Sequence, residues 1–121
     1  MNREEYLKFH KYCCDKMTAI TTAKNKDYAG FDDTSNAFGN FKVVEECGIA
    51  STEQGFLTRM MDKISRINTF VKRGILSVKD ESIEDTLLDL ANYAILMAGY
   101  IKDKRNTETI CNNDCDNRSD K

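Results

Sequence analysis

Polar side chains interrupt an otherwise apolar segment in the second half of the chain. From Thr86 to Ile101 most residues are apolar, yet Asp85, Asp89 and Asn92 recur at spacings of four and three. On a helix these spacings put all three side chains, here called the polar stripe, on one face. A carboxylate removed from water is unstable unless it is paired, hydrogen-bonded or bound to metal. The polar stripe therefore predicts a partner for its acids.

A cationic stripe with the same spacing precedes it. Arg59, Asp62, Lys63 and Arg66 fall at i, i+3, i+4 and i+7. A planar guanidinium matches two phosphate oxygens at once. Two interpretations stay open: these cations bind a phosphorylated ligand, or Lys63 and Arg66 neutralise the acids of the polar stripe across a helix pair.

A segment rich in turn-forming residues lies between the first two predicted helices, over residues 25–40. The run Lys24–Gly30 brings together a cation, a carboxylate (Asp27), an aromatic ring (Tyr28) and glycine, a mixture suited to contacting phosphate, ribose and base. Long loops without secondary structure are often functional. The alternative is a solvated loop whose aromatic residues pack back on the core.

Apolar periodicity predicts an all-α fold with four helices. A stripe of Tyr6, Phe9, Cys13, Met17 and Ile20 marks the first helix, which we expect to end near Ala23. The other three are expected from an Asn40 cap to Cys47, from a Ser51–Gln54 capping box to Gly74 with a buried face of Phe56, Met60, Ile64, Ile67 and Val71, and from Ser82 through Ile101.

The linker between the last two helices is short, over residues 75–81, so we expect a central antiparallel helix hairpin. Residues 1–102 are predicted to form a single all-α domain. Residues 103–121 are almost entirely polar and are predicted to be a mobile polar tail, since they cannot offset the entropy of ordering.

Composition limits the partners. The net charge of −2 gives no general attraction for duplex nucleic acid, so none is expected as a partner. The sequence shows no apolar run of membrane-span length and no signal peptide, so we expect a cytoplasmic protein without a membrane partner. A chain of 121 residues has room for one small core, and such a chain gains stability from oligomerisation.

Several motifs in order resemble the phage and bacterial nucleotide modification associated domain family. The resemblance runs from Lys24 to Ile101 and rests on Lys24–Gly30, Asn40–Phe41, Arg59–Lys63 with Arg66, Asp80–Thr86 and Asp89–Tyr93. That family is in turn distantly similar to the all-α nucleoside triphosphate pyrophosphatases of the MazG and dimeric dUTPase type.

The distant similarity implies a MazG-like helical homo-oligomer with a nucleotide site between helices and Mg²⁺ held by acids. Carried over, the catalytic residues are Asp62, Glu84, Asp85 and Asp89, of which Asp85 and Asp89 hold the metal. The chain departs from the pattern, because the first motif of the superfamily is Glu-Glu-x-x-Glu, whereas here only Asp62 stands among cations. Fewer acids weaken metal capture and favour direct phosphate binding.

The leading hypothesis is therefore a phage-type protein that binds a phosphorylated nucleotide, or a signal derived from one, and sequesters it. The predicted ligand-binding residues are Lys24, Asp27, Tyr28, Asn40, Arg59, Lys63, Arg66, Asn92 and Tyr93. One alternative is a Mg²⁺-dependent nucleoside triphosphate pyrophosphohydrolase. The other is a purely structural oligomerisation module, in which the polar stripes are ion pairs.

Overall fold

The described residues form an all-α bundle of four helices. The computed structural model describes the backbone of residues 1–29, 37–75 and 82–119, and the side chains of residues 1–24, 37–75 and 82–109. The helices are α1 (Arg3–Ala29), α2 (Gly39–Glu46), α3 (Thr52–Arg73) and α4 (Ile83–Ser119), and no strand occurs within these ranges. None of the four helices is long and apolar enough, over the described residues, to cross a membrane.

Local signals set both ends of α3. The Ser51 hydroxyl accepts a hydrogen bond from the Gln54 amide at 3.1 Å, and the Gln54 side chain accepts one from the Ser51 amide at 2.9 Å. The predicted capping box is thus confirmed. Gly74 ends the helix with a φ of 76°, a left-handed conformation that glycine adopts without strain. The predicted start of α4 is also confirmed, since the Ser82 hydroxyl accepts from the Asp85 amide at 3.0 Å.

The bounds of α1 and α2 differ from the sequence prediction. α1 continues to Ala29 rather than ending near Ala23, because residues 24–29 contain neither proline nor glycine to stop it. The first part of the expected loop is therefore helical. The cap predicted at Asn40 is wrong: Phe38 is the N-cap of α2 and makes no side-chain capping hydrogen bond.

α4 is also longer than its apolar pattern indicated. It was expected through Ile101, and its backbone stays helical to Ser119. Residues 102–119 lack glycine and proline, so helical hydrogen bonding continues without any need for apolar packing. The division into a domain over 1–102 and a mobile tail over 103–121 stays a prediction, but the backbone of that tail is helical as far as Ser119.

α3 and α4 form the predicted antiparallel hairpin. Glu53, in the first turn of α3, pairs with Lys104 of α4 at 2.8 Å, whereas Lys63, further along α3, pairs with Asp89 at 3.4 Å. Moving forward along α3 therefore means moving backward along α4. This register brings the middle of α3 to the polar stripe.

The core is a small aromatic cluster shared by α2, α3 and α4. Phe41 and Phe56 are almost fully buried, and their stacked rings have centroids 4.5 Å apart. The ring centroid of Tyr100 lies 5.7 Å from that of Phe56. The predicted buried face of α3 is confirmed in part. Met60 and Ile67 are half-buried, but Ile64 and Val71 are 41% and 75% exposed.

Candidate functional site

Asp89 of the polar stripe lies where three helices meet. Its Oδ1 is 3.6 Å from the Lys24 ammonium of α1, and its Oδ2 is 3.4 Å from the Lys63 ammonium of α3. The side chains of Asp89 and Lys63 are 19% and 13% exposed, so this pair is shielded from water, whereas Lys24 is 46% exposed. The sequence predicted a partner for this acid, and two lysines from different helices provide it.

Asp89 forms one wall of a cleft between α1 and α4. The cleft has a volume of about 330 Å³ when its open mouth is included. Its enclosed part is much smaller, because the centre of a water molecule can occupy only about 20 Å³ of it. Its lining residues are Ile20, Thr21, Lys24, Asp89, Asn92, Tyr93 and Leu96. Lys24, Asp89, Asn92 and Tyr93 were all predicted site residues, and the fold brings them to one place.

Asn92 and Tyr93 are held in position by different contacts. The Asn92 side-chain amide donates to the backbone carbonyl of Met17 at 3.4 Å, which ties α4 to α1. Its carbonyl oxygen and second N–H have no partner among the described residues, so they stay available to a ligand. The Tyr93 ring packs edge-on against Phe41 at 6.4 Å and belongs to the surroundings of the core.

Asp85 forms a separate pair at the start of α4. The Lys16 ammonium donates to its Oδ1 at 3.2 Å. The hydroxyl of Ser82, and after it Lys16, hold the pKa of Asp85 below its usual value, while the hydrogen bond to Asp85 raises the pKa of Lys16. The neighbouring Glu84 has a buried Oε1 that accepts no hydrogen bond from the described residues.

The described side chains form no cluster that would hold Mg²⁺ by protein ligands alone. Within that part of the chain, no three side chains of Asp, Glu, His and Cys converge on one point. Asp89 faces two ammonium groups, which oppose capture of a cation, and Asp62 is 59% exposed beside Arg66 on its own helix. The assignment of Asp85 and Asp89 as metal ligands stays a prediction.

The cationic stripe of α3 divides among three environments. Lys63 reaches Asp89, Arg66 lies 3.3 Å from Asp62, and the Arg59 guanidinium stacks 4.6 Å above the Phe41 ring. One part of the ion-pair interpretation, the contact between Lys63 and the polar stripe, is present in the structure. The phosphate-binding roles of Arg59 and Arg66 stay predictions.

Among the other predicted ligand-binding residues, Asn40 does not line the cleft, and the side chains of Asp27 and Tyr28 are not described. Asn40 is exposed on α2. Asp27 and Tyr28 belong to the helical backbone of α1, but their side chains lie outside the described residues.

Four residues near the site were not predicted as site residues. Ile20 and Leu96 line the cleft with apolar surface, Thr21 lies between Ile20 and Lys24, and Lys16 pairs with Asp85. Ile20 belongs to the apolar stripe of α1, so its spacing indicated a core position and not a cleft wall. Sequence spacing gave no signal for Thr21.

The chain is thus an all-α protein with a lysine-containing candidate site between helices α1 and α4. The family model described as Nucleotide modification associated domain 1 matches residues 24–99, well over half of the chain, and the chain belongs to this family. The matched region begins at the lysine that lies over the cleft and contains all of α2 and α3. No curated protein and no solved structure matches the chain.

Proposed function

We propose that this protein binds a phosphorylated nucleotide in the cleft between α1 and α4 and retains it without cleavage. The main support is that side chains from two helices line the same cleft, namely Lys24, Asp89, Asn92 and Tyr93. These side chains combine a cation, an acceptor, an amide and an aromatic ring, which suit phosphate, ribose and base. The description of the family as nucleotide modification associated is consistent with this class of ligand.

Lys24 is the proposed phosphate contact. Its ammonium lies 3.6 Å from Asp89, too far for a good hydrogen bond, so the contact is mainly Coulombic. The side chain is 46% exposed at the cleft and makes no hydrogen bond with the described residues. All three of its N–H groups can therefore turn to an incoming phosphate, whose charge-assisted hydrogen bonds are stronger than neutral ones.

Asn92 and Asp89 are the proposed contacts to the nucleoside. The free carbonyl oxygen and N–H of Asn92 can pair with the edge of a base, which presents both donors and acceptors. The Asp89 carboxylate can accept from a ribose hydroxyl. Ile20 and Leu96 add apolar surface for the ring. The enclosed part of the cleft holds only about one water molecule. One edge of the base or one phosphate group would therefore enter it, and the rest of the nucleotide would lie across the mouth of the cleft.

Isothermal titration calorimetry with nucleoside mono-, di- and triphosphates tests this proposal. Lys24→Gln removes the charge and should weaken binding by roughly tenfold or more, the effect of losing one charge-assisted contact. Lys72→Gln is the matched control, because Lys72 is exposed at the far end of α3. Absence of binding to every nucleotide, or equal weakening by both variants, would refute the proposal.

Hydrolysis is the second candidate function, and Glu84 is the residue that favours it. A buried carboxylate oxygen that accepts no hydrogen bond from the described residues is costly to stability, and a catalytic role is one explanation for such an atom. Chromatography after incubation with a nucleoside triphosphate and Mg²⁺ or Mn²⁺ distinguishes the two. Recovery of intact nucleotide supports binding alone. Release of monophosphate and pyrophosphate that Glu84→Gln and Asp89→Asn both abolish supports a pyrophosphohydrolase.

A further inference from the structure

One threonine on the α1 wall of the cleft leaves its hydroxyl available to a ligand. A helical threonine commonly donates to the backbone carbonyl four residues before it. Six threonines of α1, α3 and α4 do so: Thr18, Thr22, Thr58, Thr69, Thr86 and Thr107. The hydroxyl of Thr21 makes no hydrogen bond with the described residues, although Thr21 directly precedes Thr22 on the same helix.

Thr21 also differs from its neighbours in its surroundings. Thr18 and Thr22 are exposed, whereas Thr21 is half-buried and lines the cleft beside Ile20. An exposed hydroxyl can always bind water, but the enclosed part of this cleft holds only about one water molecule. The Thr21 hydroxyl therefore offers a donor and an acceptor to the group that occupies the cleft.

Thr21 and Lys24 lie one helical turn apart and form the polar part of the α1 wall. Residues three apart share one face of a helix, and both of these side chains line the cleft. The Lys24 ammonium, like the Thr21 hydroxyl, makes no hydrogen bond with the described residues. We call these two side chains the α1 donor pair. An ammonium and a hydroxyl together can donate to two oxygens of one phosphate, and hydrogen bonds to a charged acceptor are strong.

The charges beside the α1 donor pair suit a single phosphate. Among the described residues that line the cleft, Lys24 is the only cation and Asp89 is the only acid, and 3.6 Å separates their charged atoms. Lys63 also contacts Asp89 but does not line the cleft. Each additional phosphate would bring more negative charge towards the Asp89 carboxylate without a second described cation in the cleft to meet it.

We propose that the cleft selects a nucleoside monophosphate, whose phosphate accepts hydrogen bonds from the Thr21 hydroxyl and the Lys24 ammonium. The inference rests on the proposed nucleotide binding and deepens it, because it assigns the phosphate to α1 and limits the number of phosphates to one. The nucleoside then lies towards α4, where Asn92 and Asp89 line the cleft. Thr21 is on this account a determinant of specificity.

Calorimetry of the full chain in metal-free buffer tests the number of phosphates. The monophosphates of the common nucleosides are titrated first, and the one that binds most tightly is then compared with its nucleoside, diphosphate and triphosphate. The monophosphate should bind at least about tenfold more tightly than the nucleoside, because it adds charge-assisted contacts. The diphosphate and triphosphate should bind no more tightly than the monophosphate. Affinity that rises with each added phosphate would overturn the inference and leave the proposed function standing.

Thr21→Val tests the hydroxyl, because valine keeps the shape of threonine and lacks its hydrogen-bonding group. The variant should bind the monophosphate roughly tenfold or more weakly and should bind the nucleoside as the wild type does. Thr21→Ser retains a hydroxyl and should keep most of the wild-type affinity. The matched control is Thr22→Val, since the Thr22 hydroxyl is exposed and donates to the Thr18 carbonyl at 2.8 Å. It should change neither affinity.

Three results would count against this inference. Equal affinity of Thr21→Val and Thr22→Val for the monophosphate would remove Thr21 from the site. An equal loss of monophosphate and nucleoside affinity in Thr21→Val would show that the hydroxyl serves the fold or the nucleoside and not the phosphate. If the wild type binds no nucleotide at all, the proposed function fails and the inference fails with it.

Discussion

Lys63 and Asp89 form a shielded ion pair that joins α3 to α4, with 3.4 Å between Nζ and Oδ2. Lys24 of α1 adds a second cation to the same carboxylate at 3.6 Å. One side chain thus links three helices and also lines the candidate cleft. Changes at Asp89 should consequently affect both the stability of the bundle and the binding of an anion.

Asp89→Asn should destabilise the protein. The variant keeps the shape of the side chain but leaves two lysines without their carboxylate, one of which is only 13% exposed. We expect a loss of about 1–3 kcal/mol, below the value for a fully buried pair because part of the site reaches water. Urea denaturation followed by circular dichroism measures the free energy of unfolding.

The control for this prediction is Asp62→Asn. Asp62 also pairs with a cation, but it is 59% exposed and its partner Arg66 lies one turn away on the same helix. Its loss should change the stability by less than about 0.5 kcal/mol. Equal losses of stability in the two variants would show that burial of Asp89 at the three-helix junction does not strengthen its ion pairs.

Arg59→Ala should lower stability more than it lowers ligand affinity. The guanidinium lies over the Phe41 ring at 4.6 Å, in the position of a cation–π contact worth about 0.5–1 kcal/mol. If the arginine serves the core in this way, its removal should change nucleotide affinity less than Lys24→Gln does. Calorimetry and urea denaturation on the same variant separate the two effects. A loss of affinity exceeding that of Lys24→Gln would restore the phosphate-binding role.

The protein should lose stability in acid. Hydrogen bonds from the Thr52 side chain and backbone lower the pKa of Glu45, and a hydrogen bond from Lys104 lowers that of Glu53. A lowered folded-state pKa means that the stabilisation is complete above the ordinary value of 4.5 and is lost as the pH falls through the lower folded value. The urea midpoint should therefore fall steadily below pH 4.5.

Glu45→Gln isolates the contribution of one carboxylate to the loss of stability in acid. The glutamine can still accept the hydrogen bonds of buried Thr52 but does not titrate, so the fall of the urea midpoint between neutral pH and acid should be smaller than in the wild type. Glu46→Gln, at the neighbouring exposed position, should keep the wild-type fall. An unchanged acid response in Glu45→Gln would show that the Thr52 contact does not govern it.

Alkaline pH should weaken the bundle by the opposite mechanism. Hydrogen bonds to Asp85 and Glu53 raise the pKa of Lys16 and Lys104 respectively. Their stabilisation is complete below the ordinary lysine value of 10.5 and is lost as the pH rises through the raised value. Thermal unfolding scans in buffers on either side of pH 10.5 should show the loss.

Removal of divalent metal should leave nucleotide binding intact if the phosphate meets lysine directly. Calorimetry with a chelator present should give the same affinity within about threefold, because Lys24 needs no metal to contact a phosphate. A control titration with added Mg²⁺ shows whether the ion competes for the ligand. Binding that vanishes with the chelator and returns with Mg²⁺ would favour the metal-dependent alternative.

Local sequence signals predicted much of the fold. The capping box of Ser51 and Gln54, the terminator Gly74 and the start at Ser82 depend on residues within a few positions of one another, so sequence alone places them correctly. The short linker between α3 and α4 likewise predicted their antiparallel pairing. Signals based on missing apolar residues were less reliable, because a solvated helix needs no apolar face to continue, as the end of α4 shows.

The candidate site was only partly predictable for a physical reason. Spacing along one helix determined that Asp85, Asp89 and Asn92 share a face and that their acids need partners. It did not determine which cations meet them, because that depends on how each helix is rotated about its axis. Aromatic packing around Phe41 and Phe56 decides that rotation, and it directs Lys63 to Asp89 but Arg59 to the core.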